Sequence, residues 1–360
     1  MGQVSKRPLT ISAQYGLIDQ SEFFDRQIAS KDMSGYYLLK NGEFAYNKSY
    51  SNDYPWGAVK RLDKYECGAL STLYICFNLD NSIVNSDFIS HYFETNKWHK
   101  GVSDIAGEGA RNHGLLNMSV EDYFLTKHYL PSLIEQEKIS YFINLITARI
   151  ETQSKIIEDL ELVKKGIYNH IFTQLNSVEK VLLEELLIDF NKRTLTDKQY
   201  PILSSTLSGI YLQEDYFNKQ AASASTEGYK IVPYGFATYR SMSDTGEFRF
   251  NLQTIVENGI VSPAYPVFTC IENYRLDFIL FCLNYYDDIK KQLFSMKQGG
   301  TRLALHFNSL CKLYIPQIDK EKQSKIMAIV NSYDAKIVVE KQILEKLKEQ
   351  KKFLLSNMFI

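Results

Sequence analysis

Pro8-Leu-Thr-Ile-Ser-Ala-Gln-Tyr-Gly16 and Pro201-Ile-Leu-Ser-Ser-Thr-Leu-Ser-Gly209 open two stretches of one chain that align without a gap, 193 residues apart, to about Asp53. Twelve of those 46 positions are identical, among them Gln20/Gln213, Phe24/Phe217, Ala29-Ser30/Ala222-Ser223, Gly35-Tyr36/Gly228-Tyr229, Gly42/Gly235 and Tyr46/Tyr239. The displacement then drifts by a few residues, as loop insertions require. Gly68 and Ser71 meet Gly259 and Ser262, Asp87-Phe-Ile89 meets Asp277-Phe-Ile279, and Gly107-Glu-Gly-Ala-Arg111 meets Gln298-Gly-Gly-Thr-Arg302. Leu130-Pro131 and Ile315-Pro316 close the two copies. A period of about 190 residues is far longer than a solenoid repeat, so the chain is a duplicated domain.

Each copy mixes short strand-like runs with short helical patterns, which makes it an α+β globule. Tyr36-Tyr-Leu-Leu39, Ala69 to Phe77, Ile231-Val232 and Val267 to Ile271 read as strands; Ser86 to Glu94 reads as a helix with Ser86 at its N-cap. Behind each copy the pattern changes to an uninterrupted helix, Glu135 to Phe172 and again about Lys322 to Phe359, displaced by 187 residues. The first carries Ile139, Ile146, Gln153, Leu160 and Ile167 at d, with Ile143, Ile150, Ile157, Lys164 and Ile171 at a. The second carries Ile326, Tyr333, Glu340, Leu347 and Leu354, with Val330, Ile337, Leu344, Lys351 and Met358. Polar interruptions fall at matching places, Gln153/Glu340 and Lys164/Lys351. One such helix leaves its seam exposed, whereas two in one chain bury theirs against each other as an antiparallel coiled coil.

Composition bounds the function. The 360 residues are 45% hydrophobic, enough for real cores, and hold 41 Lys+Arg against 42 Asp+Glu. A generally basic nucleic-acid coat is excluded, although a local phosphate-reading patch is not. No apolar run reaches membrane-spanning length and no signal peptide shows at the N-terminus, so a cytoplasmic chain with no membrane partner is expected. The five cysteines, Cys67, Cys76, Cys270, Cys282 and Cys311, lack C-x-x-C spacing and read as core thiols. No His-x-x-x-His pair suggests a metal, and His91 and His306 sit in apolar stretches. No adjacent prolines form an adenine-methyltransferase tetrapeptide and no P-loop is present. Glu121 to Lys127 resembles a nuclease site only as any carboxylate upstream of a lysine does.

Two similar but unequal heads at a set spacing suit an extended ligand with two different elements, and DNA is the obvious one. At about 1.5 Å per residue a 38-residue helix spans nearly 60 Å, roughly 17 base pairs. Candidate contacts cluster at Tyr46-Asn47-Lys48, Tyr50, Lys60 and Arg61, and in the second copy at Tyr239-Arg240 and Arg249. Arg and Lys bond phosphates or guanine edges, Asn pairs with adenine, and Tyr bonds phosphate. Arg111 and Arg302 close the glycine-containing loops, whose backbone amides suit phosphate.

The order of elements, together with Leu9 to Ile18, Ile28-Ala-Ser-Lys-Asp32, Gly35 to Ser49, and Gly299-Gly-Thr-Arg302 leading to Phe307-Asn308 and Ile315-Pro316, resembles the specificity (S) subunit of type I restriction-modification systems. The resemblance covers nearly the whole chain. It implies an α+β protein with two similar α/β target-recognition domains, residues 1–131 and 173–316, separated by spacer helices at 132–172 and 317–360. It implies a noncatalytic subunit whose recognition domains each read half of a bipartite double-stranded DNA target. The helices would set the spacer and dock two methyltransferase (M) subunits, and the complex would recruit restriction (R) subunits. S-adenosylmethionine, ATP and Mg belong to those partners; no cofactor is expected on this chain. An orphan two-headed DNA-binding or scaffolding protein is the alternative, and a stand-alone DNA-modifying enzyme a weaker one. One departure stands out: the second copy has a lead-in, Thr173 to Lys198, where the first has only Met1 to Arg7. A truncated, recombined or differently started S subunit is the expectation there.

Overall fold

The computed structural model describes residues 7–13, 15–24, 33–50, 54–106, 115–216, 225–295 and 303–359. Its contacts divide the chain into two units, 1–156 with 340–360, and 157–339, so each unit takes one globule and part of both long helices.

In the first unit, β1 (Leu9–Ser12) and β2 (Gly16–Asp19) form a hairpin that runs into α1 (Gln20–Phe23). Then come β3 (Tyr37–Lys40), β4 (Phe44–Asn47), β5 (Ala58–Arg61), β6 (Cys67–Leu70) and β7 (Ile75–Phe77). β3 pairs with β6, while β4 lies between β5 and β7, all antiparallel. α2 (Ser86–Tyr92), α3 (His99–Ile105) and α4 (Val120–Phe124) cover that sheet. The long helix α5 (Leu133–Leu175) follows. Asn85, not Ser86, caps α2: its side chain accepts from the Phe88 amide, satisfying one of the free first-turn donors.

The second unit opens with the lead-in, β8 (Lys180–Leu182), a 3-10 turn at Leu183–Glu185 and β9 (Leu187–Asp189). Within the lead-in, residues 180–189 are therefore strand, turn, strand. From there the first unit's order returns: β10 (Leu203–Thr206), β11 (Gly209–Leu212), α6 (Gln213–Tyr216), β12 (Lys230–Pro233), β13 (Ala237–Thr238), a short β14 (Met242–Ser243), β15 (Asn251–Leu252), β16 (Asn258–Val261) and β17 (Val267–Cys270). α7 (Leu276–Tyr285), α8 (Asp287–Ser295), β18 (Leu303–Ala304), α9 (Phe307–Leu310), β19 (Tyr314–Pro316) and the long α10 (Lys320–Asn357) complete it. The pairings repeat: β10 with β11, β12 with β16, and β13 between β15 and β17. Here β9 adds a fourth strand against β17, and β8 pairs with β19. Among the described residues the first unit has no counterpart of either strand.

Repeat-matched glycines do matched work. Gly42 and Gly235 turn β3 into β4 and β12 into β13 with φ of 84° and 80°, a region L side chains avoid. Gly68 and Gly259 let β6 and β16 press on a buried leucine: a Cβ there would stand 2.4 Å from Leu9 and 2.3 Å from Leu203.

The helix seams are covered along their length. Ile143, Ile146, Ile157, Ile326, Val330, Ile337 and Leu347 are buried, and Ile139, Ile150, Leu160, Ile167, Leu344 and Leu354 half-buried. Within the first unit the start of α5 shares a core with the end of α10, Ile139 and Ile143 joining Leu355, Met358 and Phe359. Within the second, the end of α5 meets the start of α10 through Ile171, Phe172, Ile326 and Val330. Within each unit the two helix segments thus run antiparallel. The polar interruptions are satisfied: Gln153 Nε2 donates to the Glu340 carboxylate at 2.6 Å, and Lys164 pairs with Asp334. Lys351 lies 3.6 Å from Glu94.

Candidate nucleic-acid interface

The strand alternation that builds the sheets decides which of the sequence-derived candidates reach solvent. Tyr46, on β4, is fully buried, stacked on Tyr123 at 4.6 Å, with its hydroxyl donating to the Trp56 carbonyl at 2.8 Å. Tyr239, immediately after β13, is equally buried and donates to the Leu305 carbonyl at 3.1 Å. Both were expected to touch phosphate; both are core residues, and burial raises both phenols above the ordinary tyrosine value. Arg61 is also otherwise engaged: Nε donates to Asp63 and Nη1 to Ser86 and Asp87, at 2.7 to 2.9 Å, fastening β5 to the start of α2. Burial opposes its charge and the two carboxylates more than restore it.

The other first-unit candidates lie nearer the surface. Asn47, half-buried, accepts from the Ser49 amide at 2.9 Å, and Lys48 offers its carbonyl to Leu116. Gly57 holds this edge close to β5, since a Cβ there would stand 2.1 Å from the Asn47 carbonyl oxygen. Tyr50 and Lys60 are half-buried. Arg111 and Arg302, with the loops Gly107–Arg111 and Gln298–Arg302, lie outside the described residues.

The second unit presents a real cleft, about 790 Å³, between the β10–β11 hairpin and the segment around β14. Arg240 and Arg249 line it with the hydroxyls of Thr206, Ser208, Ser243 and Thr245 and the acids Asp244 and Glu247. Arg249 is held: its guanidinium lies 4.9 Å over the Tyr285 ring, and Nη2 donates to a hydroxyl, that of Tyr285, at 2.9 Å. Arg240 is exposed. Behind the wall, buried Asn251 donates to Ser205 Oγ at 2.8 Å and to the Thr206 carbonyl at 2.9 Å, fixing the hairpin against β15. The sequence pointed to the two arginines but not to the hydroxyl wall, because serines and threonines in a loop carry no distinguishing spacing.

The cysteines are free and half-buried or buried, and burial pushes Cys76 up to about 12 and Cys270 up to about 11, away from nucleophilic thiolate. Among the described residues, no group of three His, Cys, Asp or Glu side chains is placed to hold a metal ion, and no helix is long and apolar enough to cross a membrane.

Against known proteins, no family model and no curated protein matches the sequence. Solved structures do. The type I restriction-modification S subunit from M. genitalium superposes with a TM-score of 0.53 at 15% identity, over 93% of this chain and 87% of that one. A chain from a structure of the assembly and conformational transition of the type I R-M system gives 0.53 at 12%, over 89% and 82%. The HsdS subunit from Thermoanaerobacter tengcongensis gives 0.47 at 13%, over 89% and 81%. The fold is that of a type I restriction-modification S subunit. At these identities the likeness extends to the arrangement of elements and not to individual side chains. It agrees with the duplicated α+β globule and the paired long helices derived from the sequence.

Proposed function

We propose that this chain is the noncatalytic, sequence-reading subunit of a type I restriction-modification complex, each globule recognising one half of a bipartite double-stranded DNA target. The observation that carries this reading is the duplication itself: one α+β globule built twice, each copy joined to a long helix, in the S-subunit fold. The cleft of the second unit supports it. Arginines beside hydroxyls and carboxylates offer donors and acceptors together, which suits base edges better than a purely cationic phosphate clamp.

The long helices also expose apolar side chains at repeat-matched positions, Phe142 with Ile329 and Ile156 with Ile343. Two equivalent exposed patches suit two copies of one partner, here the methyltransferase subunits, with restriction subunits joining through the complex. S-adenosylmethionine, ATP and Mg would reside on those partners. The test is reconstitution. Purified alone, the chain is expected neither to cleave nor to methylate DNA; co-expressed with its methyltransferase partner, it should direct adenine methylation to one bipartite motif. Methylation by the chain alone, beyond trace contamination, overturns the proposal.

A further inference from the structure

Two glutamines occupy the same place in the two units. Gln136 and Gln323 are 187 residues apart, each the fourth helical residue of its long helix, α5 or α10, and each is essentially inaccessible to solvent. Gln136 Oε1 accepts the amide of Asn85, the N-cap of α2, at 2.8 Å. Its Nε2 donates to the carbonyls of Ile83 at 3.1 Å and Pro131 at 2.9 Å. Gln323 Oε1 accepts the amide of Arg275, the N-cap of α7, at 2.8 Å, and its Nε2 donates to Ile318 at 2.8 Å. Pro131 and Ile318 each immediately precede the cap of the long helix, Ser132 and Asp319, whose side chains bond first-turn amides. One side-chain amide therefore ties the globule's helix, the linker and the long helix together, in both units. An amide donor on one side and carbonyls on the other leave one orientation for each glutamine.

These bonds contribute to stability, since an apolar side chain of the same volume would leave the Asn85 or Arg275 amide and the facing carbonyls without this partner. Hydrogen bonds add direction: they weaken steeply when bent, whereas apolar contacts tolerate sliding. A joint made of directional bonds holds an angle.

We infer that Gln136 and Gln323 are positioning residues that fix the angle at which each globule leaves its long helix and, through it, the spacer between the two half-sites. The spacer part rests on the proposed function. Gln136→Met and Gln323→Met keep volume and remove the bonds. With the full chain and its methyltransferase partner, binding is measured on duplexes carrying both half-sites with the preferred spacer or one base pair more or fewer. The parent should prefer its spacer by at least ten-fold and each variant by less than three-fold, with both half-sites unchanged. In the DNA-free chain, nitroxides at Lys64→Cys and Arg149→Cys, both exposed and in the first unit, in a background whose native cysteines are replaced by serine, report the angle directly. Gln136→Met should at least double the width of their distance distribution. An unchanged distribution, or an unchanged spacer preference in variants that only melt earlier, overturns the inference. A parent that binds no bipartite DNA instead removes the functional proposal, and the distance measurement still decides the role of the joint. If Gln136→Met does not fold, Gln323→Met, which breaks two side-chain bonds where the other breaks three, supplies the same spacer comparison.

Discussion

Gly68 and Gly259 show how the duplication is written into single residues. Each faces a leucine that is almost wholly buried, Leu9 or Leu203, at a distance no Cβ tolerates. Because those leucines are themselves core residues, they have no solvent to swing into. Gly68→Ala and Gly259→Ala should each cost about 1 to 3 kcal/mol by overpacking, read as a lower denaturation midpoint without a change in slope. A midpoint within error of the parent would mean the sheet yields there. His91 carries a pH dependence of definite sign. It is buried, its Nε2 lies 2.7 Å from Asn144 Oδ1, and Nδ1 has no partner among the described residues. Burial lowers its pKa, a nearby Lys351 adds to this, and Asn144, Glu94 and Asp87 oppose it. The unfolded chain, titrating near the ordinary value of about 6.5, therefore binds more protons than the folded one, and stability falls as pH drops from that value through the lower folded one. His99 and His128 are lowered by burial as well and act in the same direction. His91→Gln keeps a donor for Asn144 and should shrink, without abolishing, the loss of melting temperature between pH 7.5 and pH 5. Equal losses in parent and variant would remove His91 from the account.

At the scale of elements, the long helices were legible because their periodicity is long and regular, and every named seam position is buried or half-buried. Ile143→Asp in the first unit and Val330→Asp in the second place a carboxylate where exposure is 0% and 3%, so each should cost several kcal/mol in thermal or denaturant unfolding. If both variants melt like the parent, the antiparallel pairing is wrong. Strands were legible less well. Ala69 to Phe77 reads as one apolar run, yet β6 and β7 are separate strands with different partners, broken by a turn in which the Tyr74 amide reaches the Ser71 carbonyl. The matching turn in the second unit, Ser262 to Tyr265, contains Pro263, a signal the first copy lacks. Tyr46 and Tyr239 misled for a related reason: they lie at the ends of short strands beside polar loops, and only the sheet's facing determines that they point into the core. Gln136 and Gln323 gave no sequence signal beyond their matching position, since glutamine in the first turns of a polar helix is ordinary. The hydrogen bonds that distinguish them come from residues up to 53 positions away.

For the molecule as a whole, a duplication that keeps its scaffold and changes its surface is what separate reading of two half-sites requires. Cores and turns match between the copies, while Asn47/Arg240 and Lys48/Ser241 differ at the end of β4 and just past β13, where Asn47 and Lys48 are half-buried, Arg240 is exposed and Ser241 is buried. Recognition should then be separable. Lys60→Ala or Lys48→Ala, at first-unit positions not committed to an internal ion pair by the contacts described above, should relax one half of the methylated motif, and Arg240→Ala or Arg249→Ala the other. Each should cost about 1 to 3 kcal/mol where the contact is to a base edge. Arg61→Ala is expected to behave differently, because its donors face Asp63 and Asp87: it should lower stability with little change in the motif. On the proposed function, the helices enter half-site reading through distance. Deleting seven residues from both keeps the seam in register and removes about 10 Å of helix, close to three base pairs, so the spacer should change while both half-sites stay the same. All of these variants are read in one measurement, the adenine-methylated motif mapped genome-wide in cells that carry the variant with its partner subunit. A continuous motif, or a substitution in one globule that alters both halves alike, would falsify the division of labour between two reading globules and a measuring pair of helices.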